Sequence, residues 1–261
     1  MSSLRILFIG GLTSYRALFR WMSPWIAIPV FIIQPLFQVM LFVYVGRTAG
    51  VSDDRFFLIG NAILNAAIPC LFAMGNTIDG ERYQGTLPLL LASPARRIPL
   101  FFGRALPVIL NGFAVAAICL GIGAALLDVS LPASTWGPLA LSVAVSSFSC
   151  TGLGLLMAAV ALRVRDVAVL ANVVFGLLMI FAGVNVPLVS LPGWVAATAQ
   201  WLPLTHGIAA ARELAAGAGV SGIAGQLGIE AGLGVVYSVL GLATLFWLEA
   251  ESKRRSTLDV A

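Results

Sequence analysis

Long apolar runs are the feature that most limits what this chain can fold into. The sequence contains six of them, at 24–46, 56–78, 98–127, 136–162, 167–184 and 226–248. A helix needs about 20 apolar residues to cross a bilayer, and most of these runs have that length. Within lipid, a continuous helix satisfies all of its own backbone polar groups. The runs therefore predict an all-α integral membrane protein with six transmembrane helices, in one domain over residues 1–261.

The composition leads to the same class of protein. Hydrophobic residues make up 60% of the chain and charged residues only 10%, whereas soluble domains are about one-quarter charged. A water-soluble chain of this size could not bury so much apolar surface. The three cysteines, Cys70, Cys119 and Cys150, lie within apolar runs and are expected to pack as small hydrophobic residues. No basic cluster is interleaved with aromatic residues, so we expect no nucleic acid partner.

The distribution of basic residues predicts the orientation in the membrane. Positive charge accumulates on the cytoplasmic side of membrane proteins. With both termini cytoplasmic, only Arg47, Arg55 and Arg212 lie outside, and 12 of the 15 lysines and arginines lie inside. Both termini are basic, which favours an even number of spans. The remaining inside residues are Arg5, Arg16, Arg20, Arg82, Arg96, Arg97, Arg104, Arg163, Arg165, Lys253, Arg254 and Arg255.

The N-terminal segment, residues 1–22, has the pattern of a helix that lies on the membrane surface. Its apolar residues recur at helical spacing, and Arg5, Arg16 and Arg20 fall on one flank of the helix. Such a flank suits the anionic cytoplasmic leaflet. The alternative is that the segment is the start of the first span.

Small residues are dense in the fourth and sixth runs. They let helix backbones approach closely, as packed membrane helices require. We expect them at helix–helix contacts, and the positions are Gly152, Gly154, Ala158, Gly228, Gly232 and Gly234.

Several chemistries are excluded by the residues that the chain lacks. It has one lysine, Lys253, and no GxxxxGK[ST] motif, so it has no P-loop for ATP. It has one histidine, His206, so neither an HExxH protease nor a histidine-rich zinc site is possible. No carboxylate pair is visible within the runs. Glu230 is placed near the outer end of the last run and Asp79 at the inner end of the second. An external energy source is therefore favoured over proton-driven transport.

One enzymatic motif remains as an alternative. Residues 219–222 read GVSG, a GxSG match, with His206 as a possible base for Ser221. The pattern is similar to that of rhomboid-type intramembrane serine proteases, but there the serine precedes the histidine.

The loop at 80–97 carries residues with a recognisable pattern. Thr86 is suited to capping a short helix, Pro88 to its first turn, and Pro94 to ending it. The leucines between them form a compact apolar surface flanked by arginines. The segment resembles the permease subunits of type-2 ABC exporters, in the acidic residue, Gly-Thr-Leu, leucine pair and proline after the second span. The matching residues are Glu81, Gly85, Thr86, Leu87, Leu90, Leu91 and Pro94.

A second match lies between the fifth and sixth runs, at 185–225. The residues that resemble the family's pattern are Pro187, Pro192, Pro203, Thr205, His206 and Arg212. In the family, this region forms two short re-entrant helices in the outer leaflet. Each apolar piece here is too short to span the membrane, and proline and tryptophan punctuate them.

The resemblance implies a function and its partners. A separate ABC ATPase subunit, which would bind ATP and Mg, would dock on a coupling helix at 80–97, while this chain binds no cofactor or metal and hydrolyses nothing. Family members often carry an acidic residue where this chain has Pro88, which leaves one polar contact to the ATPase open. A second permease, identical or a sister subunit, would complete the pathway. Candidate pathway residues are Gln34, Gln38, Asn61, Asn65, Asn172 and Phe175.

The resemblance leaves the cargo unspecified. Drugs, antibiotics, lipids and lipid-linked glycans all fit a hydrophobic or amphipathic cargo exported through the cytoplasmic membrane of a prokaryote. Besides the protease, the alternative from another class is a membrane scaffold that does not transport.

Overall fold

A computed structural model describes residues 24–83, 85–86, 97–164 and 166–255 of the chain, and all secondary structure in these ranges is helical. This confirms the predicted all-α class. The predicted interfacial helix at 1–22 and most of the predicted coupling helix lie outside the described residues. The α-helices are α1 Pro24–Ile28, α2 Gln34–Ala49, α3 Asp54–Tyr83, α4 Arg97–Leu126, α5 Ala133–Val160, α6 Val167–Phe181, α7 Gly193–Ala199, α8 Thr205–Ala215 and α9 Val220–Arg255.

The first apolar run forms a helix with an irregular segment. A π-helix at Pro29–Ile33 joins α1 to α2. There the backbone N–H of Gln34 donates to the carbonyl oxygen of Pro29, five residues earlier. Pro35 follows and has no N–H to donate, so the wider turn accommodates a proline within the apolar helix.

Helix α3 is the centre of the bundle. Of its apolar stretch, 83% is buried inside the chain, against 22% for the first span. It packs against α2, α4, α5, α6 and α8. The largest side chains at its core include Leu58, Ile63, Leu71 and Met74. A helix that is apolar all round and buried by its neighbours is the expected interior element of such a bundle.

Glycines allow α3, α5 and α9 to pack closely. A Cβ atom on Gly154 would lie 2.4 Å from the carbonyl oxygen of Cys70, and one on Gly152 would lie 2.6 Å from that of Gly234. The small-residue prediction is confirmed at these positions. At Gly228 and Gly232 it is wrong within the part of the chain that the structure describes, because no atom there lies within 4 Å of the added Cβ. Gly241 meets Leu155 and Leu156 further along, so α5 and α9 run parallel.

Five of the described helices are long and apolar enough to cross a membrane. Helix α6 has 15 residues, a length of about 22 Å, against the roughly 30 Å of a hydrocarbon core. It ends at Phe181 because Gly183 adopts a left-handed conformation (φ +73°). Its end lies beside the start of α3, since the carbonyl oxygens of Val184 and Phe56 share one arginine. The count of six spans stays a prediction.

Candidate functional site

A polar cluster holds the turn between α3 and α4. The carboxylate of Glu81, in the last turn of α3, accepts a hydrogen bond from the hydroxyl of Thr86 (2.5 Å) and one from Arg104 Nη2 of α4 (2.7 Å). The backbone N–H of Thr86 donates to the Glu81 carbonyl oxygen (2.9 Å). We call Glu81, Thr86 and Arg104 the 81–104 cluster.

Gly85 gives this turn its shape. It adopts a left-handed conformation (φ +67°), which favours glycine because a Cβ atom would be strained there. The bond from Thr86 back to Glu81 across a left-handed glycine is typical of a helix C-cap. The pattern of Glu81, Gly85 and Thr86 thus ends α3. Leu87, Leu90, Leu91 and Pro94 lie outside the described residues.

The ion pair in the cluster is only partly shielded from water. The side chain of Arg104 is 8% exposed and that of Glu81 is 23% exposed. Charge-assisted hydrogen bonds of this kind are stronger than neutral ones. The cluster therefore joins the ends of two spans to the first residues of the loop.

A second polar cluster lies inside the bundle, where α8 meets α5 and α9. Glu230 of α9 is fully buried (0% exposed). One of its carboxyl oxygens accepts from the backbone N–H of Leu204 (2.7 Å) and from the Ser149 hydroxyl, and the other accepts from the Gly207 N–H (3.2 Å). We call Glu230, Ser149, Leu204 and Gly207 the Glu230 junction.

The junction supplies the cap that α8 lacks. The N-terminal N–H groups of a helix have no partners within it, and a nearby Ser, Asp or Asn usually accepts from them. Leu204, at the cap position of α8, has no side-chain acceptor and adopts a left-handed conformation (φ +77°). A carboxyl group 26 residues later in the chain takes that role. Ser142 also donates to the Gly207 carbonyl oxygen (2.7 Å).

Arg212 fixes the other part of α8. Its guanidinium group donates to the carbonyl oxygens of Phe56 (3.0 Å), Gly183 (2.7 Å) and Val184 (2.7 Å). Its central carbon lies 3.4 Å from the centroid of the Phe56 ring, a cation–π contact. Burial lowers the pKa of Arg212 to about 9, while Asp53 acts in the opposite direction. We call Arg212, Phe56, Gly183 and Val184 the Arg212 contact.

The remaining predicted residues of the 185–225 segment lie around α7 and α8. Pro187 precedes a short 3₁₀ turn, Leu188–Ser190, and Pro192 precedes α7. Pro203 is buried before α8. Thr205 begins α8, and His206 follows with its Nε2 atom 3.0 Å from the Gln200 carbonyl oxygen. The segment consists of short helices, and its depth in the membrane stays a prediction.

The predicted pathway residues do not form one wall within the chain. Asn61 and Asn65 are buried in α3, where the Asn61 amide donates to Asn185 Oδ1 (2.7 Å) and the Asn65 amide to the Asn61 carbonyl oxygen (2.8 Å). Gln34 is exposed and Gln38 half-buried on α2. On α6, Asn172 is exposed and Phe175 half-buried. Among these residues, a hydrogen bond joins the two asparagines of α3.

The family was assigned by comparison with known proteins. A family model described as ABC-2 type transporter matches residues 12–215, most of the chain. The chain belongs to the ABC-2 type transporter family. The match includes both the 81–104 cluster and α8. A comparison with curated proteins finds no match.

Membership in the ABC-2 family and the apolar helices show that the chain is a multi-pass membrane protein. Its family is one of membrane transport components. The GxSG motif of this ABC-2 protein lies at the start of α9. Ser221 is exposed in the first turn of α9, and His206 Nε2 bonds to a backbone carbonyl oxygen. Within the described ranges, no three His, Cys, Asp or Glu residues come together as a metal site.

The sequence does not predict two of these contacts, those made by Glu230 and by Arg104. Glu230 was located in the last run, but its partners are distant in the chain, so its capping role had no local pattern. Arg104 was counted only as an inside charge. The available signal was the presence of Glu230 within an apolar span, since ionisable residues at such positions are commonly functional.

Proposed function

We propose that this ABC-2 protein is the permease subunit of an ABC exporter, driven by a separate ATPase subunit. The chain has no P-loop and a single lysine, so a partner would have to hydrolyse ATP. The observation that carries the proposal is the 81–104 cluster, which binds the start of the 80–97 loop to two spans. A displacement of that loop would be transmitted directly to α3 and α4.

The proposed orientation places the 81–104 cluster and both termini in the cytoplasm of a prokaryotic cell. The distribution of basic residues supports this side. Arg163, after α5, and Glu251, near the end of α9, form an ion pair (2.5 Å), and we place it on the same side. Helix α9 has 36 residues, about 54 Å, which exceeds the hydrocarbon core. Its last turns would therefore extend beyond the bilayer.

A second permease, identical or a sister subunit, is proposed to pack against α2 and α6. The first span is little buried within one chain, and a groove of about 590 Å³ runs along it. Large apolar side chains project from α2, including Phe37, Leu41 and Tyr44. Gln34 and Gln38 of α2 and Asn172 and Phe175 of α6 would then lie near the shared pathway. The cargo is proposed to be hydrophobic or amphipathic, because the exposed faces of both helices are apolar.

The test is co-purification of the chain in detergent with its candidate ATPase. Leu87→Asp/Leu90→Asp places two charges on the proposed docking surface, and we expect the complex to be lost. A matched control is Val189→Asp, because Val189 is 95% exposed and lies in the segment between α6 and α7. This control is expected to keep the ATPase.

Two results would contradict the proposal. A complex that survives the double substitution would place the docking surface elsewhere. A wild-type chain that binds no ATPase would favour a membrane protein without an ATP-driven transport role. Size-exclusion profiles of all variants separate a lost contact from a misfolded chain.

A further inference from the structure

Helix α8 is attached to two different parts of the bundle. At its N-terminus, the Glu230 junction joins it to α5 and α9. Towards its C-terminus, the Arg212 contact joins it to the start of α3 and to the residues after α6. The helix is thus a bridge, and any separation of these two parts must break one of its attachments.

The Glu230 attachment is closed to solvent. Glu230 is fully buried, and three donors converge on its two carboxyl oxygens. If the junction opened without water entering, the N–H groups of Leu204 and Gly207 would lose their acceptor. Buried polar groups without partners are strongly disfavoured. Gly207 also packs so closely that a Cβ atom would lie 1.9 Å from Ser146 Oγ.

The Arg212 attachment lies at a cavity. A space of about 220 Å³ is lined by Arg212, Asp53, Arg55 and Phe56, among others. Asp53 and Arg55 lie at the start of α3 and bring polar surface to this cavity. No carboxylate in the described part of the chain forms an ion pair with Arg212, whose acceptors are backbone carbonyl oxygens. Water could replace those oxygens as partners of the guanidinium group, since Arg212 and Phe56 both border the cavity.

We propose that Glu230 and Arg212 are positioning residues with opposite roles: Glu230 fixes α8 to α5 and α9, and Arg212 is the contact that opens during transport. The C-terminal part of α8 then moves away from the start of α3 and the residues after α6, while its N-terminus stays fixed to α5 and α9. This inference rests on the proposed function as a permease. It gives the two ionisable side chains that hold α8, Glu230 of α9 and Arg212 of α8 itself, a part in the transport cycle.

The experiment measures how fast buried cysteines react with a membrane-impermeant maleimide. Val184 is fully buried and its carbonyl oxygen accepts from Arg212, so Val184→Cys reports on the Arg212 contact. Native Cys150, also fully buried, is next to Ser149 and reports on the Glu230 junction. Cys70→Ala and Cys119→Ala remove the other thiols. Ala182→Cys, at 1% exposure, is a second reporter for the Arg212 contact if Val184→Cys does not fold.

The first arm uses the permease alone. Arg212→Gln removes the charge and most of the N–H donors of the guanidinium group. We expect labelling at position 184 to accelerate about tenfold or more, and the labelling rate of Cys150 to stay unchanged. Arg212→Lys keeps the charge and is expected to give an intermediate rate. An unchanged rate at position 184 in a folded Arg212→Gln variant would overturn the proposal, whether or not an ATPase binds.

The second arm uses the complex with its ATPase during ATP turnover. We expect turnover to accelerate labelling at position 184 and to leave Cys150 slow. Accelerated labelling of Cys150 instead would mean that the Glu230 junction opens, which overturns the proposal while leaving the function intact. If no ATPase binds the chain, the proposed function fails, and the inference about transport fails with it. The first arm then still decides whether Arg212 closes this contact.

Discussion

The two polar clusters lie at different levels of the bundle and use the same kind of side chain differently. Glu81 is partly exposed and bonds to a residue five positions later in the chain and to one 23 positions later. Glu230 is fully buried and bonds to residues 23, 26 and 81 positions away. Glu81 therefore holds the start of a loop, whereas Glu230 fixes how three helices pack against one another.

The two clusters differ in whether water can replace a hydrogen bond that is lost. Because the Glu81 side chain is partly exposed, solvent can take over part of its hydrogen bonding when a partner is lost, so this end of the 81–104 cluster tolerates rearrangement. Glu230 is fully buried, so each partner lost there leaves a buried polar group. We therefore expect substitutions in the two clusters to separate stability from coupling to the ATPase.

The largest loss of stability is expected from Glu230→Ala. It leaves the backbone N–H groups of Leu204 and Gly207 without their acceptor and removes one of the two acceptors of the Ser149 hydroxyl, at a cost of about 3 kcal/mol in the free energy of unfolding. Glu230→Gln should cost less, because the amide oxygen can still accept. Unfolding in mixed micelles measures both. Glu213→Gln, on the exposed side of α8, is the control, and an equal loss there would contradict the special role of Glu230.

Gly207→Ala is expected to cost about 1–3 kcal/mol through overpacking. The added Cβ would lie 1.9 Å from the Ser146 hydroxyl oxygen. Ser146→Ala removes that atom, which has no hydrogen-bond partner among the residues that the structure describes, so this substitution alone should be nearly neutral. The double variant should recover most of the stability lost by Gly207→Ala. A double-mutant cycle without coupling would show that the two residues are not in contact.

Gly85→Ala tests the turn of the 81–104 cluster. Gly85 has a positive φ of +67°, and no atom of the described residues lies within 4 Å of an added Cβ, so conformational strain is the effect expected to oppose alanine. We expect a loss of about 1 kcal/mol. Gly85→Asn should cost less, since asparagine adopts this conformation more readily. Thermal unfolding of the two variants in detergent provides the comparison, and equal losses would rule out strain as the cause.

The smallest effect is expected from Asp54→Asn. Arg47 and Asp54 form an ion pair between the end of α2 and the start of α3, with both side chains substantially exposed. Surface pairs of this kind contribute little to stability. We expect no measurable change in the unfolding temperature at low or high salt. A salt-dependent loss would show that this pair matters more than its exposure indicates.

The apolar runs carried most of the information on the fold. Each run corresponds to a helix because lipid-soluble segments must satisfy their backbone internally. The residues at which some helices begin and end are not predicted by the runs. Helix α9 begins at Val220, six residues before the predicted run, because polar and small residues there extend the helix without raising its hydropathy. Helix α6 ends at Phe181 because Gly183 breaks it.

The site was less predictable than the fold. The pattern around Glu81, Gly85 and Thr86 is local, so a sequence motif could identify it. The Glu230 junction depends on three helices meeting, and no spacing along the chain encodes that meeting. Asn61 and Asn65 stood out as polar residues in an apolar run, but burial inside the chain depends on how α3 is surrounded, which periodicity does not specify.

The most direct test of the account compares Glu81→Gln with the wild type in two measurements on purified protein: unfolding of the permease, and binding of the ATPase. We predict a loss of about 1 kcal/mol in stability, with at least about tenfold weaker ATPase binding, since the loop would lose its charged attachment to Arg104. Unchanged ATPase binding by a Glu81→Gln variant that has lost its bond to Arg104 would contradict the claim that this cluster couples the loop to the spans.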